Sequence, residues 1–109
     1  MDILEKYTYR VSWSEEDQEH VGLCAEFPSL SWLAKTKEEA LNGISSLVES
    51  VLKDLQKAKE KIPEPFSIKK YSGKFQVRIP PQIHRNLDIE AHEAHISLNR
   101  LISAKLASR

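Results

Sequence analysis

The clearest alternation of apolar and polar residues in the chain runs from Gly73 to Pro80. Its odd positions are apolar and its even positions carry long hydrogen-bonding side chains: Phe75, Val77 and Ile79 against Lys74, Gln76 and Arg78. Because the side chains of a strand point alternately to opposite faces, this pattern predicts one short amphipathic strand. The proline pair at 80 and 81 ends the strand, and Pro81 suits the first turn of a helix.

Two helices are predicted after this strand. The first runs from Pro81 to Ala94, where apolar residues recur at helical spacing: Ile83, Leu87, Ala91 and Ala94. Ser97 is a good N-cap for the second helix, and Ile96 before it can pack on Leu101 as a hydrophobic staple. The apolar side of this second helix consists of Leu98, Leu101, Ile102 and Leu106.

One strand and two short helices, residues 73–109, are too small a unit to bury a self-sufficient core. We therefore predict a homodimer, or a larger even-numbered oligomer, in which two strands form an antiparallel ribbon. The predicted dimer core consists of Phe75, Val77, Ile79, Leu87, Leu101 and Ile102.

A two-stranded ribbon fits the major groove of DNA, where its outward side chains can read base edges. The predicted base-reading residues are Lys74, Gln76 and Arg78. The first turn of the second helix can bind a DNA phosphate through its free amides, and the predicted phosphate-binding residues are Ser97, Leu98, Asn99 and Arg100. An exposed strand with lysine can also serve only to prevent aggregation, and this simpler interpretation stays open.

The N-terminal half predicts three strands. The first is expected from Tyr7 to Trp13 and the second from Val21 to Phe27, both with strict alternation, and the charged segment 14–20 joins them as a hairpin. Pro28 interrupts the pattern before a short edge strand from Leu30 to Ala34.

A long amphipathic helix follows the strands. Thr36 and Glu39 have the spacing of a capping box, and the apolar stripe behind them is expected to cover one face of the sheet: Ala40, Leu41, Ile44, Leu47, Val48, Val51, Leu52 and Leu55. The proline-flanked segment from Ile62 to Pro65 cannot continue this helix. We thus predict an α+β chain with a domain over 1–61, a linker over 62–72 and a second domain over 73–109.

These residues resemble a known family. Lys-Phe-Gln-Val-Arg-Ile-Pro-Pro (74–81), a helix, and then Ile-Ser-Leu-Asn-Arg-Leu-Ile (96–102) are similar to the ribbon-helix-helix fold of Arc- and MetJ-type repressors and to the C-terminal domain of HicB-type antitoxins. Cys-Ala-Glu-Phe-Pro-Ser-Leu (24–30) and Lys-Glu-Glu-Ala-Leu (37–41) resemble the HicB N-terminal domain, a truncated relative of the RNase H fold. His95 departs from the glycine that the fold usually carries before its second helix, so a left-handed conformation there costs free energy.

The resemblance implies an antitoxin of a HicAB-type toxin–antitoxin system. Such a protein represses its own operon by binding operator DNA, and its N-terminal domain binds and blocks a HicA-like toxin that cleaves mRNA. Two alternatives remain open: a stand-alone ribbon-helix-helix regulator without a toxin partner, and a protein-interaction adaptor that does not bind DNA.

Composition and charge agree with a two-part protein. Residues 1–62 contain eight Lys or Arg and twelve Asp or Glu, a net charge of −4, whereas residues 63–109 contain eight and four, a net charge of +4. A positive C-terminal half fits a phosphate-binding role. No apolar run is as long as a membrane span or a signal-peptide core, so we expect a cytoplasmic protein without membrane contact.

Catalytic and metal sites find little support in the sequence. The single cysteine, Cys24, suits core packing better than nucleophilic attack. Glu26 is the one carboxylate inside a predicted strand, whereas an RNase H-type nuclease needs several that converge on metal ions. His92 and His95 lack a convincing third ligand. We therefore expect neither enzymatic activity nor a cofactor.

Overall fold

The computed structural model of the protein describes residues 2–108 and has an α+β fold. After a short N-terminal helix that the sequence pattern did not predict, a three-stranded antiparallel sheet and a long helix follow as predicted, and then further helices. The elements in chain order are α1 (Asp2–Lys6), β1 (Tyr9–Ser14), β2 (Glu19–Cys24), β3 (Ser31–Ala34), α2 (Lys37–Lys57), α3 (Pro81–Glu93) and α4 (Leu98–Ala107). The chain divides into two compact units between Tyr71 and Ser72, which we call unit 1 and unit 2.

The sheet of unit 1 has the strand order β1-β2-β3, so the predicted third strand does lie at an edge. The register pairs Tyr9 with Cys24 and Val21 with Leu33. The second strand ends at Cys24, earlier than the alternation predicted, because the amide of Phe27 turns back to donate to the carbonyl of Cys24 at 3.1 Å. The side chain of Phe27 is buried in the core beside Tyr7, whose ring meets it edge-on.

Helix α2 covers one face of the sheet. Thr36 caps it, since its hydroxyl accepts a hydrogen bond from the amide of Glu39 at 3.1 Å. Four residues of the predicted stripe are fully buried: Ala40, Ile44, Val48 and Leu52. Their spacing of four residues follows one face of an α-helix, which explains why periodicity alone identified this element.

The buried face of β2 carries the small residues Gly22 and Cys24, not the larger apolar residues of the strand. A methyl group on Gly22 would lie 2.5 Å from the carbonyl oxygen of Ala40 and 2.9 Å from Cγ2 of Ile44. The helix therefore approaches the strand so closely that only glycine fits at this position. Val21 and Leu23 consequently lie on the opposite, open face of the sheet.

The predicted linker is largely held by unit 1. Pro65 is fully buried, and the hydroxyl of Tyr7 donates to the carbonyl of Pro63 at 2.7 Å. The carboxylate of Glu26, itself only 9% exposed, accepts from the amide of Phe66 at 2.9 Å and from the amide of Thr8 at 2.9 Å. One side chain thus links the start of β1 to a segment forty residues further along the chain.

Unit 2 contains α3 and α4. Ser97 caps α4 as predicted, because its hydroxyl accepts from the amide of Arg100 at 3.0 Å. His95 has a positive φ of 58°. The amide of Ile96 donates to the carbonyl of Ala91 at 3.1 Å, as in a Schellman motif, so histidine occupies the left-handed position that glycine usually fills.

Gly22→Ala is expected to lower the free energy of unfolding by about 1–3 kcal/mol, since the added methyl group overlaps the backbone of α2. Gly43→Ala is the matched control. A methyl group there would overlap the Trp32 ring at Cδ1, but that ring belongs to a 44% exposed side chain that can shift, whereas the nearest atom at Gly22 is backbone. Alanine also improves helix propensity by about 1 kcal/mol. Urea unfolding followed by circular dichroism compares the two, and equal losses would contradict the close approach at Gly22.

Glu26→Gln is expected to destabilise unit 1 by about 1–3 kcal/mol at neutral pH, because an amide cannot accept from both Thr8 and Phe66 without placing its own donor against one of them. Burial alone raises the pKa of Glu26, but the hydrogen bonds from Thr8 and Phe66 outweigh it and lower the pKa below its ordinary value. A carboxylate whose pKa is lowered by folding stabilises the fold at pH values above its ordinary pKa. This contribution is lost as the pH falls through the folded-state pKa.

The difference in unfolding free energy between the wild type and Glu26→Gln should therefore shrink when urea unfolding is repeated at acidic pH. Glu64→Gln is the control, because Glu64 is exposed on the same segment. A difference that stays constant between about pH 7 and about pH 3 would show that the carboxylate charge plays no part.

Candidate nucleic-acid interface and open sheet face

The segment 74–80, predicted as a strand, finds no partner strand among the described residues 2–108. Its apolar side chains face solvent: Phe75 is 74% exposed, Val77 65% and Ile79 38%. An unpaired amphipathic segment leaves both its backbone groups and its apolar face without partners within the chain. A pairing partner for this segment is thus absent from residues 2–108, and the predicted ribbon stays a prediction.

The polar side chains of the same segment are exposed as well. Lys74, Gln76 and Arg78 all lie on the surface, and within the described part of unit 2 their charged and amide groups form no side-chain hydrogen bond or ion pair. The single chain therefore leaves these donors available to a ligand. It does not by itself bring them together on a ribbon.

The predicted phosphate-binding turn is formed within one chain. The first amides of a helix have no intrahelical acceptor. In α4 the hydroxyl of Ser97 satisfies the amide of Arg100, and the carbonyl of Ser97 accepts from the amide of Leu101 at 3.0 Å. The amides of Leu98 and Asn99 remain directed out of the helix end, where an anion is favoured by the helix dipole.

Of the predicted dimer-core residues on the helices, Leu101 is buried, and Leu87 and Ile102 are half-buried. Three further apolar residues of unit 2 are exposed and were missing from that set: Ile83, Ile89 and Leu106. Ile89 lies off the stripe that the periodicity identified. Unit 2 alone thus exposes an apolar surface that extends beyond the predicted strand.

The open face of the sheet in unit 1 is a second surface without cover. The register places Val21 and Leu33 side by side on it, with Leu23 two residues along β2. Leu33 is 45% exposed. A hollow of about 350 Å³ lies beside Leu23 and Arg10. Sequence reasoning missed this face, since it took no account of which side of β2 the helix covers.

The groups considered for catalysis have structural partners. Burial raises the pKa of the Cys24 thiol to about 11, so it is protonated at neutral pH. The carboxylate of Glu26 accepts hydrogen bonds from the amide of Phe66 and from the amide and hydroxyl of Thr8. His92 lies in the last turn of α3 and His95 in the turn that follows, both exposed. Among residues 2–108, no three His, Cys, Asp or Glu side chains are grouped for metal binding, and no helix is long and apolar enough to cross a membrane.

Comparison with known proteins gives one match. A family model described as HicB family matches residues 55–106. This range begins in the last turn of α2 and includes the segment 74–80, α3 and most of α4, but not the sheet of unit 1. No curated protein and no solved structure shows significant similarity to the chain. The match covers 52 of the 109 residues and supports the assignment of the chain to the HicB family.

Proposed function

We propose that this chain is the antitoxin of a HicAB-type toxin–antitoxin system. It binds and neutralises a HicA-like toxin that cleaves mRNA, represses its own operon by binding operator DNA, and has no catalytic activity of its own. The observation that supports this most is the coincidence of the HicB-family match with an exposed segment that is amphipathic and unpaired.

A second copy of the chain supplies what that segment lacks. Two copies of 74–80 paired antiparallel satisfy each other's backbone groups and cover Phe75, Val77 and Ile79 against the helices. The exposure of these side chains in one chain supports such a dimer, because apolar patches of this kind mark association surfaces. Ile83, Ile89 and Leu106 add to the surface that a partner copy covers.

The opposite face of the ribbon then carries Lys74, Gln76 and Arg78 from both chains. Arginine donates two hydrogen bonds to guanine and glutamine pairs with adenine in the major groove. The N-terminus of α4 binds a phosphate of the backbone beside the groove and so fixes the register of the ribbon. Base recognition and phosphate binding are thus assigned to different elements of unit 2.

Unit 1 is the proposed toxin-binding part, and its open sheet face is the surface that we assign to this contact. Val21, Leu23 and Leu33 give it an apolar centre. Unit 1 also carries ten Lys or Arg and thirteen Asp or Glu, a net charge of −3. An acidic surface complements a protein that binds RNA, because such a protein presents positive charge.

Arg78→Ala and Gln76→Ala are each expected to weaken binding to the upstream region of the protein's own gene by about 1–3 kcal/mol, and binding to a random duplex much less. Removing a side chain that reads a base lowers discrimination, whereas general attraction to phosphates remains. Fluorescence anisotropy at one fixed salt concentration measures both affinities.

Phe75→Ala is the control on the other face of the same segment. It is expected to shift the dimer toward monomer in sedimentation and to lower thermal stability, with DNA binding abolished as a consequence. If Gln76 and Arg78 variants bind like the wild type while Phe75→Ala remains dimeric and stable, the two faces of the strand are assigned the wrong way round.

Leu33→Glu is expected to abolish co-purification with the product of the adjacent open reading frame, because it places a charge in the centre of the open face. Leu41→Glu is the matched control: Leu41 is 43% exposed, almost as much as Leu33, but lies on α2. Co-expression followed by affinity capture of the tagged chain compares the two variants with the wild type.

A Leu33→Glu variant that retains the partner, with its circular dichroism unchanged, would place the toxin contact elsewhere. A wild-type chain that captures no neighbour while still binding its upstream DNA would favour the stand-alone regulator instead.

A further inference from the structure

We propose that Lys69 and Lys70 form a second DNA contact, a phosphate clamp that lies before the ribbon and holds the backbone bordering the groove. This inference rests on the proposed DNA-binding function, but it concerns residues of unit 1 that the ribbon does not include. The ligand is the phosphodiester backbone of duplex DNA, without preference for sequence.

The charge pattern is the first support. No Asp or Glu occurs between Glu64 and Asp88, and the basic residues of this interval are Lys69, Lys70, Lys74, Arg78 and Arg85. The chain as a whole has equal numbers of acidic and basic residues, so this interval is a local departure. Basic residues continue beyond both ends of the predicted strand. The positively charged surface that can attract DNA phosphates therefore extends past the base-reading residues.

The backbone at the start of this run is held in place. The amide of Phe66 donates to the carboxylate of Glu26 at 2.9 Å, and the hydroxyl of Ser67 donates to the carbonyl of Lys6 at 2.6 Å. A turn then follows, in which the amide of Lys69 donates to the carbonyl of the buried Pro65 at 3.1 Å. A lysine on an anchored turn loses less conformational entropy on binding than one on a free linker.

Both lysines are exposed and available. The ion pairs of the described chain join Lys53 to Glu49 and Lys105 to Glu90, so neither uses the clamp. The ammonium group of Lys69 lies 5.8 Å from the centre of the exposed Tyr71 ring, within the range of a cation–π contact.

The connectivity of the chain limits how far the clamp can lie from the predicted strand. Lys70 precedes Lys74 by four residues, at most about 14 Å of extended backbone. The major groove is about 12 Å wide. If the strand lies in the groove with Lys74 near its end, chain connectivity keeps Lys70 within about 14 Å of Lys74, a distance comparable to the groove width, so the phosphates that border the groove are within reach.

The test is the salt dependence of binding to a labelled duplex of random sequence, using the full-length chain. The double variant Lys69→Gln/Lys70→Gln should reduce the slope of log affinity against log salt by about 0.9 for each phosphate that is no longer neutralised, hence by about 3.6 for a dimer with four such lysines. The ratio of affinities for the gene's upstream region and the random duplex should stay unchanged.

Lys35→Gln/Lys57→Gln is the matched control, since it removes the same charge from exposed positions of unit 1 outside the interval. The control should keep the wild-type slope. A clamp variant with the same slope as this control would overturn the inference, and it would leave the proposed function intact if Arg78→Ala still loses discrimination. A clamp variant that loses discrimination would show base reading instead, and a wild-type chain without duplex binding would overturn both proposals.

Discussion

An apolar face that one chain cannot cover is the constraint on which unit 2 depends. Phe75 and Val77 expose most of their surface, and hydrophobic burial stabilises a fold by roughly 25 cal/mol per Å² of apolar area. Helices α3 and α4 bury only Ala91 and Leu101, too small a core to compensate for ordering the whole unit. Unit 2 of a single chain therefore leaves an apolar surface uncovered, and this supports the proposed dimer.

Unit 1 covers its main apolar surface with its own elements. The long stripe of α2 lies directly on the sheet, and glycine at position 22 allows the backbones to approach. The opposite face of the sheet keeps an apolar centre at Val21 and Leu33, and no described element of unit 1 covers it. The two units thus differ in kind: unit 1 buries a core of its own and keeps one sheet face open, whereas unit 2 exposes much of its apolar surface.

The elements with local signals were predictable from sequence. Helix α2 follows from its periodicity, and both Thr36 and Ser97 cap as their positions indicated. The features that the sequence did not reveal depend on distant contacts. Proline at 63 and 65 suggested a linker, but the amide of Phe66 meets Glu26, forty residues away. The buried side of β2 is set by how near α2 lies, which no alternation reveals. The segment 74–80 needs a partner outside the chain, so its pairing and its base-reading role remain predictions.

The turn at His95 shows how the fold can tolerate a residue other than the glycine that the ribbon-helix-helix fold usually carries there. A left-handed residue other than glycine costs about 1–2 kcal/mol. The same motif ends α2, where Lys59 has a φ of 57° and the amide of Glu60 donates to the carbonyl of Leu55 at 2.9 Å. In both turns the backbone hydrogen bonds close without glycine, so the helix ends retain their geometry at a cost in free energy. The turn at His95 sets the direction of α4 and therefore of the amides of Leu98 and Asn99. The left-handed conformation lowers the stability of the fold, but the proposed phosphate site is still formed.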